Sequence, residues 1–386
     1  MLWVLAFHMI YFLSFFLKKD AFQVILDIPF LNLFLTGHYG VDIFFTMSGF
    51  LIGSILLKEY FKKGSINLIK FFVKRSLRLL PVYYLVLIIA LFLPLPNKEN
   101  IWANFIYVNN YLPFPEQFFG PSWTLAVEEQ FYLICPFLIL FLGRFKKSKV
   151  FIWTLISIII SSIAIRFYLV LDHEMFLPAP IHSMFDTSLY YEYCHTLYLK
   201  THTRFGPLVL GVLAAFIVQR KKSYLNKLSP WIINSTIIGI ISYIVFGTYL
   251  NTAYSFSLFF SNVMARHLFS VAIVLIIFKN FTETKKQKSK LISVLSSKCW
   301  LAISQLSYSM YLFHIFVIMG VYQIFFKYYS SIELYQILIL SVVCIFLTAI
   351  IATPIWLFVE KPFVNLYRKN KLRNFRNKDS LKEATV

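Results

Sequence analysis

Hydrophobic residues fill long stretches of this chain, and polar residues gather between those stretches. A helix that crosses a membrane needs roughly 20 predominantly apolar residues, whereas the strands of a membrane barrel alternate over much shorter segments. About ten segments fit the helical pattern: residues 2–17, 39–57, 77–95, 123–142, 150–170, 205–219, 231–250, 256–278, 302–326 and 334–358. The pattern predicts an all-α, polytopic transmembrane helical bundle.

Composition and charge strengthen this prediction. Of the 386 residues, 59% are hydrophobic and 14% are charged, which is too apolar for a soluble domain of this length. The net charge of +20 is compatible with nucleic-acid binding, but the basic residues cluster in alternate connections, as the positive-inside rule requires. The clusters include Lys58, Lys62, Lys63, Arg144, Lys146, Lys147, Arg220, Lys221, Lys222, Lys285, Lys286 and the tail from Arg368 to Lys382. We therefore expect a multi-pass protein of the cell (inner) membrane with both termini in the cytoplasm and no nucleic-acid partner.

The chain divides into a transmembrane domain over residues 1–360 and a basic cytoplasmic tail over residues 361–386. The first 17 residues lack the basic start and small-residue cleavage site of a signal peptide, so we expect a retained, short span. The four cysteines are dispersed, so we expect neither a disulfide framework nor a metal site. The longer outer connections, 96–122 and 171–204, are places where an extracytoplasmic substrate could be held.

Polar residues inside apolar spans are informative because a charge at the bilayer centre costs about 2.5–3.5 kcal/mol. Asp42 shares a helical face with Gly49 and Gly53, which is also the pattern of close helix packing. In the fourth span, Thr124, Glu128 and Tyr132 share a face, while Glu129 points about a quarter-turn away and is expected to be structural. In the ninth span, Ser307, Tyr311 and His314 share another face.

Two further features stand out in the sequence. His8 has no polar neighbour in its own span before Tyr11, so its partner must come from another helix; a purely structural hydrogen bond is the alternative. Arg75 and Arg78 are spaced i, i+3 just before Pro81 at the predicted cytoplasmic face. Two guanidinium groups on one face suit a phosphate-bearing ligand, with ordinary positive-inside charge as the alternative.

Six segments, in this order, resemble the signature segments of the acyltransferase 3 family of integral membrane acyltransferases: GHYGVDIFFTMSGFLI, KRSLRLLPVYY, SWTLAVEEQFYLICPF, RFGPLVLGVLAA, SYSMYLFH and FVEKPF. The resemblance covers nearly the whole chain. It implies an enzyme that moves an acyl group, often acetyl, from cytoplasmic acyl-CoA to a hydroxyl of an extracytoplasmic glycan or related envelope molecule. Acyl-CoA would be a co-substrate, with no tightly bound cofactor, and the other partners would be a glycan or lipid-linked acceptor and membrane lipid.

The resemblance also assigns residues. It makes His8 the first-helix histidine of the family, and Arg75 and Arg78 its basic pair. The family usually has an arginine about ten residues before that histidine, whereas only seven residues precede His8 here. We therefore expect that the N-terminus is truncated or that this chain lacks that arginine.

Acyl transfer to an alcohol needs a base, and a neutral histidine suits that role near pH 7. We expect His8 to be the base, with Glu128 as the anion that stabilises its imidazolium and Asp42 as the rival partner. Arg75 and Arg78 are expected to hold the phosphates of the donor. The candidates for substrate binding are Asp42, Arg204, Tyr308 and His314, with acceptor contacts from Tyr190, Tyr191, Tyr193, His195 and Tyr198; an interfacial aromatic belt is the alternative for that connection.

Two other classes of protein remain as alternatives. A polytopic transporter or flippase of an envelope precursor would use Asp42, Glu128 and His314 as a proton or substrate path, although the sequence contains no two-half repeat. A structural or chaperone subunit would not need His8, Glu128 and an arginine pair together. An acyltransferase explains more of these polar residues than either alternative does.

Overall fold

The computed structural model describes residues 1–145, 147–173, 187–225, 227, 229–247, 256–283 and 288–366. These residues are mostly helical, and no β-strand occurs among them. The α-helices are α1 Leu2–Leu13, α2 Lys19–Leu26, α3 Asn32–Leu35, α4 Gly40–Lys63, α5 Leu68–Phe92, α6 Ile101–Phe105, α7 Trp123–Arg144, α8 Ser148–Asp172, α9 Thr187–Tyr193, α10 Thr201–Arg220, α11 Lys222–Leu225, α12 Pro230–Ser242, α13 Phe256–Thr282, α14 Lys290–Leu295, α15 Trp300–Tyr328 and α16 Leu334–Ile355.

Within the described ranges, ten apolar helical stretches account for the predicted spans. Eight are long and apolar enough to cross a membrane: Leu33–Lys63, Leu68–Phe92, Gly120–Arg144, Ser148–Asp172, Thr201–Arg220, Phe259–Thr282, Trp300–Tyr328 and Leu334–Leu366. Two shorter apolar stretches, Leu2–Leu13 and Pro230–Phe246, complete the set. Each stretch overlaps one segment expected from the hydrophobic pattern, so the prediction of an all-α, multi-pass membrane bundle is confirmed.

The last helical stretch extends further than expected. It continues to Leu366, so the boundary at residue 360 between the predicted transmembrane domain and tail lies inside a helix. Residues 367–386, which make up most of the predicted tail, lie outside the described part of the chain. The division into domain and tail stays a prediction.

Basic residues mark one end of the bundle. The second, fourth, sixth and eighth apolar helices (α4, α7, α10 and α13) each carry a basic residue in the last turn, including Lys63, Arg144, Arg220 and Lys279. Alternate helices run in the same direction, so these four helices bring their C-termini to the same end, which we call the basic end. Positive charge there also complements the helix dipoles. That this end faces the cytoplasm stays a prediction.

The centre of the bundle is a close contact between α4 and α10. Gly49 lies against the backbone of Leu208, and a Cβ atom at residue 49 would collide with the carbonyl group of Leu208. One turn later, Gly53 faces Val212 at the same seam. Small residues let two membrane helices approach closely, so the packing interpretation of these two glycines is confirmed. The seam fixes α4, which lines the cavity described below.

Candidate active site

A cavity of about 330 Å³ lies between α4, α5, α7 and α15. It is lined by Val41, Ile43, Phe44, Phe45, Met47, Ser48, Leu51, Arg75, Arg78, Leu79, Thr124, Leu125, Glu128, Tyr132, Ser304, Ser307, Tyr308 and Tyr311. The lining begins on α15 at Ser304, one turn from the basic end, and reaches Tyr311 two turns later. Its volume is within the range of small-molecule sites in proteins. The cavity brings together Arg75, Arg78 and Glu128, which are far apart in the sequence.

The start of α5 determines where the arginine pair lies. Asn67 caps this helix by accepting a hydrogen bond from the backbone N–H of Lys70 at 2.8 Å. Arg75 and Arg78 therefore lie in α5, two to three turns after its first residue, which is at the basic end. The guanidinium carbon of Arg75 is 4.9 Å from the ring centroid of Tyr132 on α7. Arg75 is half-buried and Arg78 is exposed, so Arg78, the member further from the start of α5, is open to a ligand.

Glu128 belongs to the same polar group. Its carboxyl interacts with the hydroxyls of Ser48 and Tyr132, and Arg75 and Arg78 are the cations that act on it. The hydroxyls of Ser48 and Tyr132 are themselves hydrogen-bonded and join α4 to α7. Glu128 therefore lies within electrostatic range of the arginine pair on the wall of the same cavity.

Two tyrosines of α15 form a wall of the cavity. The Tyr308 hydroxyl donates to the carbonyl of Leu79 at 2.8 Å. The Tyr311 hydroxyl donates to the carbonyl of Pro121 at 2.8 Å and lies 2.7 Å from the Thr124 hydroxyl. A carbonyl oxygen can only accept, so Thr124 donates to Tyr311. These bonds hold both rings in place where α5, α7 and α15 meet.

His8 lies beyond this wall and meets another histidine. Its Nδ1 is 3.1 Å from Nε2 of His314, and the ring centroids are 4.8 Å apart. Among the described residues, the only other hydrogen-bond partner of His8 is the carbonyl of Val4, at 2.9 Å. The side chain in contact with His8 is therefore His314, and the hydrogen bonds of His8 among the described residues do not include the expected one with Glu128. That Glu128 acts in catalysis stays a prediction.

Asp42, the rival partner, is also engaged elsewhere. Its Oδ2 accepts a hydrogen bond from Arg266 at 2.8 Å, and its Oδ1 lies 3.3 Å from Nη2 of Arg204, an ion pair without hydrogen-bond geometry. All three side chains are almost fully buried. A buried carboxylate is stable only beside cations, so Asp42 serves these arginines and the expectation that it might contact His8 is wrong.

Arg204 lies in an aromatic cage. Its guanidinium carbon is 5.4 Å from the ring centroid of Phe45, 5.2 Å from that of Trp123 and 5.3 Å from that of Tyr198. None of its side-chain nitrogens has a hydrogen-bond partner among the described residues. Cation–π contacts partly replace the lost hydration. The structure thus places Arg204 and Asp42 together, in the interior rather than on the surface.

The described part of the connection over residues 171–204 contacts α1 and α7. Tyr190 donates to the hydroxyl of Tyr11 at 3.0 Å, and Tyr198 packs 5.0 Å from Trp123. Residues 174–186 of this connection lie outside the described part of the chain. That Arg204 and the tyrosines of this connection hold an acceptor stays a prediction.

Two buried arginines were not identified as candidate site residues from the sequence. Arg266 is the closest partner of Asp42, and Arg166, 1% exposed, donates from Nη1 to the carbonyl of Leu197 at 2.9 Å. Each is an arginine within an otherwise apolar span, and the cost of such a charge was a signal that could have identified them. Their partners could not be read from the sequence, because they depend on which helices touch.

Comparison with known proteins agrees with this architecture. A family model described as "Acyltransferase domain" matches residues 1–357. The O-acetyltransferase OatA of Staphylococcus aureus, in strains COL and MW2, is 30% identical over 352 residues, which cover 84% of this chain and 52% of each relative. The chain therefore spans about half the length of these relatives. No solved structure matches significantly. Because the family model covers nearly all of the transmembrane bundle, the chain belongs to the acyltransferase 3 family of integral membrane proteins.

Proposed function

We propose that this protein is a membrane O-acetyltransferase that takes an acetyl group from cytoplasmic acyl-CoA and transfers it to a hydroxyl of an extracytoplasmic glycan or related envelope molecule. The name of OatA supports O-acetylation as the reaction class. The donor and the acceptor are those that the family resemblance implies, and the two arginines in the cavity support a phosphate-bearing donor. The observation that carries the proposal is a cavity that begins near the basic end with Arg75 and Arg78 and ends at the wall next to His314 and His8.

The arginine pair suits the phosphates of the donor. Guanidinium groups bind phosphate oxygens through two parallel hydrogen bonds, which an ammonium group does not do. Arg78 is exposed and Arg75 is half-buried, so phosphates can reach the pair from the basic end. The apolar lining, which includes Phe44, Met47 and Leu51, suits the acyl end of the same molecule.

His8 is the base in this proposal. The alcohol oxygen attacks the thioester carbonyl carbon while its proton passes to the imidazole; the carbon–sulfur bond then breaks, and the thiolate takes the proton back. No net proton change occurs at the histidine. The acceptor has to come from the end opposite to the donor, past the described tyrosines of the outer connection, where Tyr190 contacts Tyr11 one turn beyond His8.

The proposal is tested by comparing envelope glycans from cells with and without this protein by mass spectrometry. We expect a mass increment of one acetyl group per modified hydroxyl that disappears on deletion and returns with the wild-type gene. In parallel, purified protein in proteoliposomes should consume labelled acetyl-CoA. Uptake or flipping of an envelope precursor without formation of an ester would contradict the proposal and favour a transporter.

A further inference from the structure

The two histidines of the site form a pair, and no carboxylate of the described residues contacts either ring. His8 belongs to α1 and His314 to α15, and the planes of the two rings are inclined by 59°. His314 is fully buried and His8 is half-buried. Among the described residues, every hydrogen bond of the two rings goes to the other ring or to a backbone carbonyl. An uncharged group therefore occupies the place that an aspartate takes beside many catalytic histidines.

The backbone determines where the protons lie in this pair. Nδ1 of His314 is 2.6 Å from the carbonyl oxygen of Tyr311, and Nδ1 of His8 is 2.9 Å from that of Val4. A carbonyl only accepts, so each Nδ1 carries a hydrogen, and in the neutral rings each Nε2 is a bare acceptor. The single Nδ1–H of His8 is then shared, in a three-centre hydrogen bond, between the carbonyl of Val4 and Nε2 of His314 at 3.1 Å. A single arrangement of protons satisfies all three contacts.

We propose that His314 is a positioning residue that holds His8 in the tautomer with a free Nε2, so that Nε2 is the atom that takes the proton of the acceptor hydroxyl. This inference rests on the proposed function, which makes His8 the base. Nε2 of His8 has no hydrogen-bond partner among the described residues. It is therefore the one ring nitrogen of the pair that is both unprotonated and unoccupied.

The pair also stabilises the charge that forms during transfer. When Nε2 of His8 takes the hydroxyl proton, the imidazolium keeps its Nδ1–H directed at His314 and at the carbonyl of Val4. A hydrogen bond from a charged donor is stronger than one from a neutral donor, so both contacts strengthen as the alcohol oxygen bonds to the acyl carbon. His314 itself stays neutral. The proton returns from Nε2 of His8 to the departing thiolate sulfur.

The wall of the donor cavity orients His314. Its Nδ1–H is held by the backbone of Tyr311, whose side chain is hydrogen-bonded to Thr124 of α7 and to Pro121 just before that helix. The ring centroids of Tyr311 and His314 are 5.6 Å apart. The residue that closes the cavity thus also anchors the histidine pair, which links the position of the donor to that of the base.

The kinetic test compares His314→Gln with His314→Leu, two side chains of similar size. The amide oxygen of glutamine can accept the Nδ1–H of His8, and leucine cannot. We expect His314→Leu to lower kcat by about 10- to 100-fold, the effect of a lost hydrogen bond to a charged group, with unchanged coenzyme A affinity. The logarithm of kcat for His314→Gln should exceed that for His314→Leu by at least a third of the difference between His314→Leu and the wild type. A folded His314→Leu protein with wild-type kcat, or a glutamine variant no better than leucine, would overturn the proposal.

A second readout does not depend on activity. In protein labelled with ¹⁵N-histidine and reconstituted in nanodiscs, the His8 signals are identified by their loss in His8→Ala. At neutral pH we expect one protonated and one bare nitrogen, with the proton on Nδ1, and a shift of the Nδ1 signal in His314→Leu. A proton on Nε2 of His8 would overturn the inference even if the enzyme is active. Absence of any acyl transfer by the wild-type protein would instead refute the proposed function, and the tautomer would still be measured.

Discussion

The hydroxyl oxygens of Thr124 and Tyr311 lie 2.7 Å apart and join α7 to α15 at one end of the arginine-containing cavity. Tyr311 also donates to the carbonyl of Pro121, and its own carbonyl holds His314. A single residue therefore borders both the proposed donor cavity and the histidine pair. In the proposed function, its ring limits the space available to the acyl group of the donor.

We expect Tyr311→Ala to broaden donor use toward longer acyl chains. Removal of the ring extends the cavity, and each methylene group buried there contributes about 0.8 kcal/mol, or roughly fourfold in kcat/KM. The readout is the ratio of kcat/KM for butyryl-CoA to that for acetyl-CoA, which cancels any general loss of rate. Tyr328→Ala, an exposed tyrosine on the same helix, is the control and should leave the ratio unchanged. An unchanged ratio in Tyr311→Ala would mean that the ring does not limit chain length.

Replacing Arg75 and Arg78 together by lysine tests the phosphate site. The charge at the basic end is kept, but the paired hydrogen bonds to phosphate are lost. We expect coenzyme A to bind about 10- to 100-fold more weakly by isothermal titration calorimetry, because each charged hydrogen bond contributes about 1.5–3 kcal/mol. The control is Arg144→Lys, an exposed basic residue at the end of α7. Wild-type affinity in the double variant would show that the pair only directs topology.

Glu128→Gln separates the two roles that this residue could have. In the structure Glu128 interacts with Arg75 and Arg78, so its carboxylate competes with phosphate for the same cations. We expect the glutamine variant to bind coenzyme A several-fold more tightly, whereas a residue that only stabilised the His8 imidazolium would leave donor affinity unchanged. Glu59→Gln, whose parent residue pairs with Lys63 on the surface of α4, is the matched control. Unchanged or weaker binding in Glu128→Gln would contradict this role.

Asp42→Asn tests the buried ion pairs. Among the described residues, no other carboxylate contacts Arg204 or Arg266. Removal of one partner of a buried pair typically costs about 3–5 kcal/mol, because it leaves an uncompensated charge. We expect a marked fall in the thermal unfolding temperature in detergent, partly reversed by adding Arg266→Gln. Asp27→Asn, at an exposed helix end, should change stability by about 0.5 kcal/mol or less. A stable Asp42→Asn protein would show that the arginines are compensated in another way.

The sequence predicted the helices well because membrane insertion is decided locally. A run of apolar residues such as 302–326 is sufficient to indicate a span, and the structure has the helix α15 Trp300–Tyr328 there. The packing of Gly49 was also predictable, since small residues at i, i+4 mark a close helix contact. These features depend on residues that are neighbours along one helix.

The partners of the polar residues were not predictable to the same degree. His8 was expected to have a partner from another helix, with Glu128 or Asp42 in that role, whereas the structure places His314 beside His8 and Arg266 beside Asp42. Which helices touch depends on packing of the whole bundle, and a single sequence gives no measure of it. His314 was predicted from the sequence as a polar residue on an apolar helix and a candidate for substrate binding, whereas its contact with His8 is visible only in the structure.

In the proposed function, His8 is the base that accepts the hydroxyl proton. The most direct measurement is acyl transfer by His8→Ala protein in proteoliposomes, together with its coenzyme A affinity and its thermal unfolding. We expect transfer to fall by about 10²- to 10⁴-fold, the usual effect of losing a general base, with folding and donor affinity retained because the arginine pair lies on the other side of the Tyr311 wall. A folded His8→Ala protein that binds donor and transfers acyl groups at the wild-type rate would show that His8 is not the base.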